Sequence, residues 1–446
     1  MARRIKLQKL IAWLTLIFYL IQPAFAYAEV VVDPNAPTAY QPMLDASANG
    51  IPVVQITTPS SAGVSHNLYQ QFNVDAQGLI LNNSRNITPT QLGGYIDGNP
   101  FLAKGPARII LNEVTGNNPS FLRGYTEIAG QRAELVIANP NGIVGDGFGF
   151  INTSRAVLVT GKPIFGGNGS LEAFRVTGSQ INIQGKGMDA STTDQADLIS
   201  RSALINAGIW AQKLNVVTGA NEVNHSNLST TSIVTGTQSP QLAIDVGQLG
   251  GMYARKIYLV GTENGVGVNS QGIISTVGDD LTITNEGRVT LSGSTFAGGD
   301  LHIQARAGFS NQNTLYAEGN AQIFSQGAIE NTGILAAQGN LNLDGQRIAS
   351  SGTLAAGIRK DGNLDSTGDL TITAVQDITT QNKNLAAGNI NMKAANINLA
   401  NSTIYSGGNA AVNAITGGID HSNGIIYTQG TLTLKPRVIL IIPREL

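Results

Sequence analysis

Gly145, Gly147 and Gly149 come soon after the strand-like run Glu134-Leu135-Val136-Ile137. A glycine loop in that place can cradle a dinucleotide pyrophosphate, but only when a helix N-terminus follows it. The next run, Ala156-Val157-Leu158-Val159-Thr160, is strand-like again, so no such site is built. His66, His225, His302 and His421 are dispersed and match no metal-ligand spacing such as His-Glu-x-x-His. Each reads as a surface or turn residue. A Gly-x-Ser-x-Gly elbow and a nonapeptide calcium repeat are missing, and Asp279-Asp280 fills a turn slot that Asn takes elsewhere. The carboxylates therefore read as solvated turns, and the clustered pair that glycoside hydrolysis needs is not present. The expectation is a chain with no catalytic residue, no metal ligand and no cofactor.

The same stretch does contain a tight turn, Asn139-Pro140-Asn141-Gly142-Ile143. Pro fixes φ, Asn and Gly tolerate φ > 0, and Asn side chains can bond backbone groups. Such a turn closes one coil of something larger. Its nature shows in the C-terminal half, where Gly, then Asp or Asn, then apolar-polar-apolar recurs, as in Gly299-Asp300-Leu301-His302-Ile303. The first apolar residues are Leu281, Leu301, Ala321, Leu341, Leu370, Ile390, Ala410 and Leu432, a period of about twenty. Each copy reads as a short strand with two inward side chains after a turn. Stacked, they form one interior column, with Ile283, Ile303, Ile323, Leu343, Ile372, Met392, Val412 and Leu434 beside it.

The expected fold is all-β, a right-handed parallel β-helix (a solenoid) with an N-terminal β-rich cap and small extra-helical strands or loops. A propeller or hairpin sandwich fits less well, since twenty residues is half a propeller blade. The longer step at Ala355–Thr367 predicts a loop extruded from one coil. Upstream, Gly208–Val217 resembles Gly251–Val260 at an offset of 251 − 208 = 43, which suggests two coils, and Asn224–Gln238 reads as a surface excursion.

At the amino terminus, Arg3, Arg4, Lys6 and Lys9 precede the apolar run Leu10–Ile21, the pattern of a secretory leader. Ala24-Phe25-Ala26 and Ala26-Tyr27-Ala28 offer small-x-small cleavage sites, so cleavage is expected after Ala26 or Ala28, by the general rather than the twin-arginine route. Without those four basic residues, 27 − 4 = 23 basic face 29 acidic side chains, a net charge of −6. That balance argues against nucleic acid or an anionic membrane as the main partner. The chain has no Cys, so burial and hydrogen bonds must hold it together.

Further motifs carry a resemblance: Asn67–Val74, Gly78–Ser84, Ile110–Thr115, Arg132–Ile143 and Gly149–Thr153. From about residue 40 to 270 their order resembles the secretion domain of filamentous haemagglutinins and contact-dependent inhibition exoproteins. The resemblance implies a Gram-negative two-partner secretion system: the leader takes the passenger across the inner membrane, and an outer-membrane barrel transporter with periplasmic receptor domains recognises the secretion domain. It also singles out two turn motifs, Asn-Pro-Asn-Gly-Ile, matched by Asn139, Pro140, Asn141, Gly142 and Ile143, and Asn-Pro-Asn-Leu, which is here Asn99-Pro100-Phe101-Leu102. Phe101 replaces an Asn and so removes a hydrogen-bonding side chain. Gly145 and Phe148 stand where part of the family has a cysteine pair.

The expected organisation is a leader at 1–28, the secretion domain at 29–270, β-helical repeats at 271–435 and an atypical tail at 436–446 that abandons the repeat. That tail suggests a truncated or frame-shifted product. Beyond export, the expected role is a surface adhesin, with host or bacterial cell-surface receptors as further partners. The alternative is the N-terminal part of a contact-dependent growth-inhibition toxin carrier.

Overall fold

The computed structural model describes residues 30–365, 367–438 and 440–441; the expected leader, with Ala26 and Ala28, lies outside the described residues. Short alternating runs cannot each bury an apolar face alone, and here they do so by stacking coil on coil. Each coil gives three short strands paired in parallel with those of its neighbours, which makes a three-faced parallel β-helix. It is right-handed by the rule for parallel crossovers.

The first face runs from Val64–Gln71 through Ile109–Val114 and Ala133–Ala138 to Leu432–Lys435. The second runs from Ser120–Leu122 to Leu440–Ile441, and the third from Pro52–Gln55 to Ile425–Thr428. The ladders cross residue 270 without a break, since Gly267–Ser270 pairs with Leu242–Val246 before it and Val289–Leu291 after it. Leu440–Ile441 pairs in parallel with Ile419–Asp420, so the second face continues into the segment expected to leave the repeat.

The interior column has the register expected from the period. Leu281 pairs with Leu301, and the series continues through Ala321, Leu341, Leu370, Ile390 and Ala410 to Leu432. All are buried except Leu432, on the last described strand of this face. Upstream the column continues through Ile257, Leu214, Ala196, Ala156 and Leu135 to Ile110.

The 43-residue offset is one coil, not two. Gly208–Thr218 pairs directly with Gly251–Gly261, Trp210 opposite Tyr253 and Leu214 opposite Ile257. The surplus leaves the helix as Asn221–Asn224 and Thr230–Ser232, which join Gly161–Phe165 and Leu171–Val176 in a four-stranded antiparallel sheet. That sheet covers the outside of the first face, packing Phe174, Val176 and Val223 on Val136, Val157 and Val217. The extruded loop starts later than the spacing suggested, because Thr353–Ala356 still pairs with the coil before it.

The helix starts differently from the way it continues. Val31–Val32 lies antiparallel on Val64–Gln71, and Met43–Ala46 lies antiparallel on Pro52–Gln55. These strands cover the starting edges of the first and third faces, edges that would otherwise pair with other chains.

The recurring Gly-Asp/Asn turn is more than a solvated corner. Each Asx side chain accepts the backbone N–H of its counterpart one coil on: Asp280 from Asp300, Asp300 from Asn320, Asn320 from Asn340, and so on through Asp369, Asn389 and Asn409 to Thr431, at 2.6–3.0 Å. The preceding glycine leaves room for this. A Cβ on Gly339 would stand 2.6 Å from Asn320 Oδ1 and 3.0 Å from Gly319 O. Gly339→Ala is therefore expected to cost about 1–3 kcal/mol by overpacking, and Asn320→Ala about 1–2 kcal/mol for the lost bonds from the Asn340 N–H and to Asp300 Oδ1. Urea midpoints of the two variants check this; a neutral Gly339→Ala would remove steric room as the reason for the glycine.

Candidate functional site

Asn139 follows the first-face strand Ala133–Ala138 and precedes the strand Ile143–Ile151, at the corner between the first and second faces. It is fully buried. Its Nδ2 donates to Asn118 O (3.0 Å) and Ser120 Oγ (2.9 Å), both on the coil before it. Its Oδ1 accepts from the backbone N–H of Asn141 (2.9 Å) and from Asn141 Nδ2 (3.0 Å). One amide thus closes its own turn and ties that turn to the previous coil. Pro140 O accepts from Ser179 Oγ at 2.6 Å, which links the same corner to the next coil. Gly142 has φ 114°, a conformation that L side chains rarely adopt, and Ile143 is fully buried in the main core.

Asn99 repeats this arrangement at another corner, where the chain passes from the third face to the first. Its Nδ2 donates to Ile56 O and Asn82 O, both at 2.9 Å, and its Oδ1 caps the 3₁₀ turn Pro100–Leu102 by accepting from Phe101 N at 2.9 Å. Leu102 anchors the turn in the main core. Phe101 keeps the backbone half of the motif: its N–H bonds Asn99, and its carbonyl accepts from Thr58 Oγ1 at 2.8 Å. What it gives up is shown by Asn141, whose side chain reaches Gly116 O at 2.7 Å. The Phe101 ring instead joins Tyr40, His66 and Phe165 along a cleft of about 880 Å³. The two asparagine turns are equivalent devices at separate corners.

Two histidines expected at the surface are largely covered. His225 sits beneath the extra-helical sheet, with Nε2 2.5 Å from Glu134 Oε1, and His421 is also buried. His66 pairs with Glu113 at 2.8 Å between the rings of Tyr40 and Phe165. His302 alone is exposed. Around His225 lies a charge cluster that sequence reasoning missed. Arg155 Nε donates to Asp197 Oδ2 at 2.5 Å, Asp197 also accepts from Gln195 and Asn215, and Glu134 lies 3.7 Å from Arg155. No sequence signal joins these residues, because His225 and Glu134 are 91 positions apart. Among the described residues no group of three or more His, Asp or Glu is placed to hold a metal ion. Gly145 lies in a strand paired on both sides, its open face covered by the Phe148 ring.

Comparison with known proteins gives these corners a context. Residues 28–291 match the family model of the TPS secretion domain. The chain is 48% identical over 288 residues to a Toxin CdiA of Yersinia pestis, covering 64% of this chain and 9% of that protein. It is 45% identical over 416 residues to tRNA nuclease CdiA-2 of Burkholderia pseudomallei (strain 1026b), covering 93% of this chain and 13% of that protein. It therefore spans about a tenth of the length of these curated relatives. The crystal structure of a filamentous hemagglutinin secretion domain superposes with TM-score 0.55 at 30% identity, covering 68% of this chain and 99% of that one. Such a domain is an export module rather than a catalytic one, and its partner is an outer-membrane transporter that passes it to the surface of a Gram-negative bacterium. With a family model covering more than half its residues and both asparagine corners inside that match, this chain belongs to the two-partner secretion exoproteins that carry a TPS secretion domain.

Proposed function

We propose that residues 29–270 are the part read in the periplasm by the transporter's receptor domains, after cleavage of the leader behind Ala26 or Ala28. Outside the cell the same residues start the β-helix on which the repeats of 271–435 grow. The observation that carries this reading is the asymmetry of the rod: antiparallel strands cover the starting edges of two faces, and every later coil adds in parallel on the one before. Growth by nearest-neighbour contacts suits a chain that emerges N-terminus first and folds on what has already emerged.

The test is directional. Leu135 and Ile390 belong to the same interior column and are equally buried. Refolded from denaturant, Leu135→Asp is expected to lose protease protection along the whole rod, whereas Ile390→Asp keeps a protected core upstream of its own coil. Equal damage from both substitutions would end the templating idea. Export is read in parallel by surface detection with and without the transporter gene.

For the mature protein, the proposal is a surface adhesin presented by the rod. The toxin and nuclease names of the relatives, with the small share of them that this chain spans, favour one second reading, in which these residues carry a contact-dependent inhibition toxin. Growth competition against a related strain separates the two: inhibition requires the toxin carrier, and adhesion without inhibition supports the adhesin.

A further inference from the structure

The third face carries an outward column of large side chains that neither asparagine corner touches. Trp210, Tyr253, Phe296, Tyr316, Leu385, Tyr405 and Tyr427 follow one another in register, with only Ser or Ala at the positions between them. Its counterpart on the first face is polar, running Thr282, His302, Gln322, Asn342, Thr371, Asn391, and the column beside it holds a single ring, Phe324, between Thr284 and Lys393. The aromatic rings are ordered. Trp210 and Tyr253 stack at 6.1 Å and 14°, Tyr405 and Tyr427 at 5.4 Å and 5°. Trp210 folds back over Gly208 and Tyr253 over Gly251, where a Cβ would meet ring atoms at 2.5 and 2.8 Å.

The middle of this stripe is covered by the chain's own extruded loop. The loop leaves the helix at Gly357 (φ 68°), returns at Gly368 (φ 146°), and closes on itself through Ile358 opposite Leu364 and Arg359 with Asp365 (3.1 Å). Ile358 O accepts from Tyr316 Oη at 3.2 Å, and Lys360 Nζ lies 5.6 Å from the Phe296 ring centroid. Tyr316, Ala336 and Ala355 are buried as a result, although they point away from the core. Burial, followed by the Glu318, Asp361 and Asp365 carboxylates, holds the Tyr316 phenol above its ordinary pKa.

We propose that the third-face stripe is a rod-to-rod contact surface for a second copy of this chain, and that the loop at 357–368 is a guard that limits this contact. A second copy fits because it presents the same spacing of about 4.8 Å per coil along its length, so side chains of two rods stay in step. From Trp210 to Tyr427 the column has no charged side chain, so two acidic chains do not repel each other there. Area decides the role of the loop. A stripe roughly 45 Å long and about 12 Å wide gives about 500 Å² per copy, or about 1,000 Å² in total, the lower limit for a specific interface. With the loop seated, roughly half of that length is withdrawn and the remainder falls below the limit. This inference is independent of the export reading.

Deleting residues 357–366 joins Ala356 to Thr367-Gly368-Asp369-Leu370, which recreates the short corner seen at Ala317-Glu318-Gly319-Asn320-Ala321. In sedimentation velocity the deleted chain is expected to self-associate at least about tenfold more tightly than the parent, and Trp210→Ser with Tyr405→Ser should reverse the gain. Should the deletion fail to fold, Arg359→Ala with Lys360→Ala in the full chain unlatches the loop; the Tyr316 phenol should then titrate closer to its ordinary value and self-association should rise. A folded deletion that stays monomeric, association that survives the two Ser substitutions, or binding of a polysaccharide without self-association would each overturn the proposal.

Discussion

Asn139→Ala is expected to lower stability by about 3–4 kcal/mol and to reduce surface export to background while synthesis continues. The side chain is fully buried; its removal strands Ser120 Oγ inside the corner and takes a partner from Asn118 O and the Asn141 N–H at its rim. Each buried group left unpaired costs about 1–3 kcal/mol, and relaxation of the turn recovers some of the sum. Asn139→Asp should be worse, although it is closer in shape. It keeps the acceptor for Asn141 but turns a second oxygen toward the Asn118 carbonyl and buries a charge to which, of the two Nδ2 partners, only the Ser120 hydroxyl can turn to donate. Asn99→Ala should resemble Asn139→Ala, since its amide also bonds two carbonyls and caps one N–H. Asn141→Ala should cost about 1 kcal/mol, because Asn141 is exposed and its Nδ2 serves mainly one backbone carbonyl. Urea midpoints and surface detection in cells with the transporter should rank Asn139→Asp below Asn139→Ala, and both well below Asn141→Ala. An Asn139→Asp variant as stable as the parent would mean that the Nδ2 bonds do not hold the corner.

Residue 101 shows how far a motif can be read from sequence. The Asn-to-Phe replacement suggests a weakened turn, because sequence displays only side chains. The structure puts the turn's essential bonds on the backbone of residue 101 and on the side chain of Asn99. Phe101→Asn is accordingly expected to leave export intact. The interior column was legible because its period and its apolar-polar alternation state the same geometry twice, and the pairing of Leu341 with Leu370 survives a loop in between. The offset from Gly208 to Gly251 misled because an excursion lengthened one coil to nearly the length of two. Spacing measures chain consumed, not height climbed, and the antiparallel strands at Asn221–Asn224 and Thr230–Ser232 consume chain without climbing. The aromatic stripe escaped notice for a related reason: it is a column of single residues about twenty apart, each of which looks like a lone surface ring.

Asp197→Ala is the second large expected effect, and it separates the extra-helical sheet from the rod. Asp197 has no exposed side-chain surface and takes four hydrogen bonds, from Arg155, Asn215 and twice from Gln195. Removing one partner of a buried ion pair costs about 3–5 kcal/mol, because the other charge is left uncompensated. Glu134 still lies 3.7 Å from the Arg155 guanidinium, which places the expectation near the lower end, at about 3 kcal/mol. Arg155 Nη2 makes no hydrogen bond among the described residues, so the guanidinium has little slack to absorb the loss. The combined Arg155→Met and Asp197→Leu variant should recover more than half of that stability, since an apolar pair of similar volume suits the surrounding cluster of Val136, Val157 and Phe174. Recovery stays incomplete because Asn215, itself buried, loses its acceptor. Hydrogen exchange should locate the damage: in Asp197→Ala, amides of Leu171–Val176 and Asn221–Asn224 exchange faster, while those of Leu341–Ser350, far along the rod, keep their protection. Uniform loss along the rod would mean that the cluster supports the helix itself, and no loss anywhere would mean that the sheet is held by its apolar contacts alone.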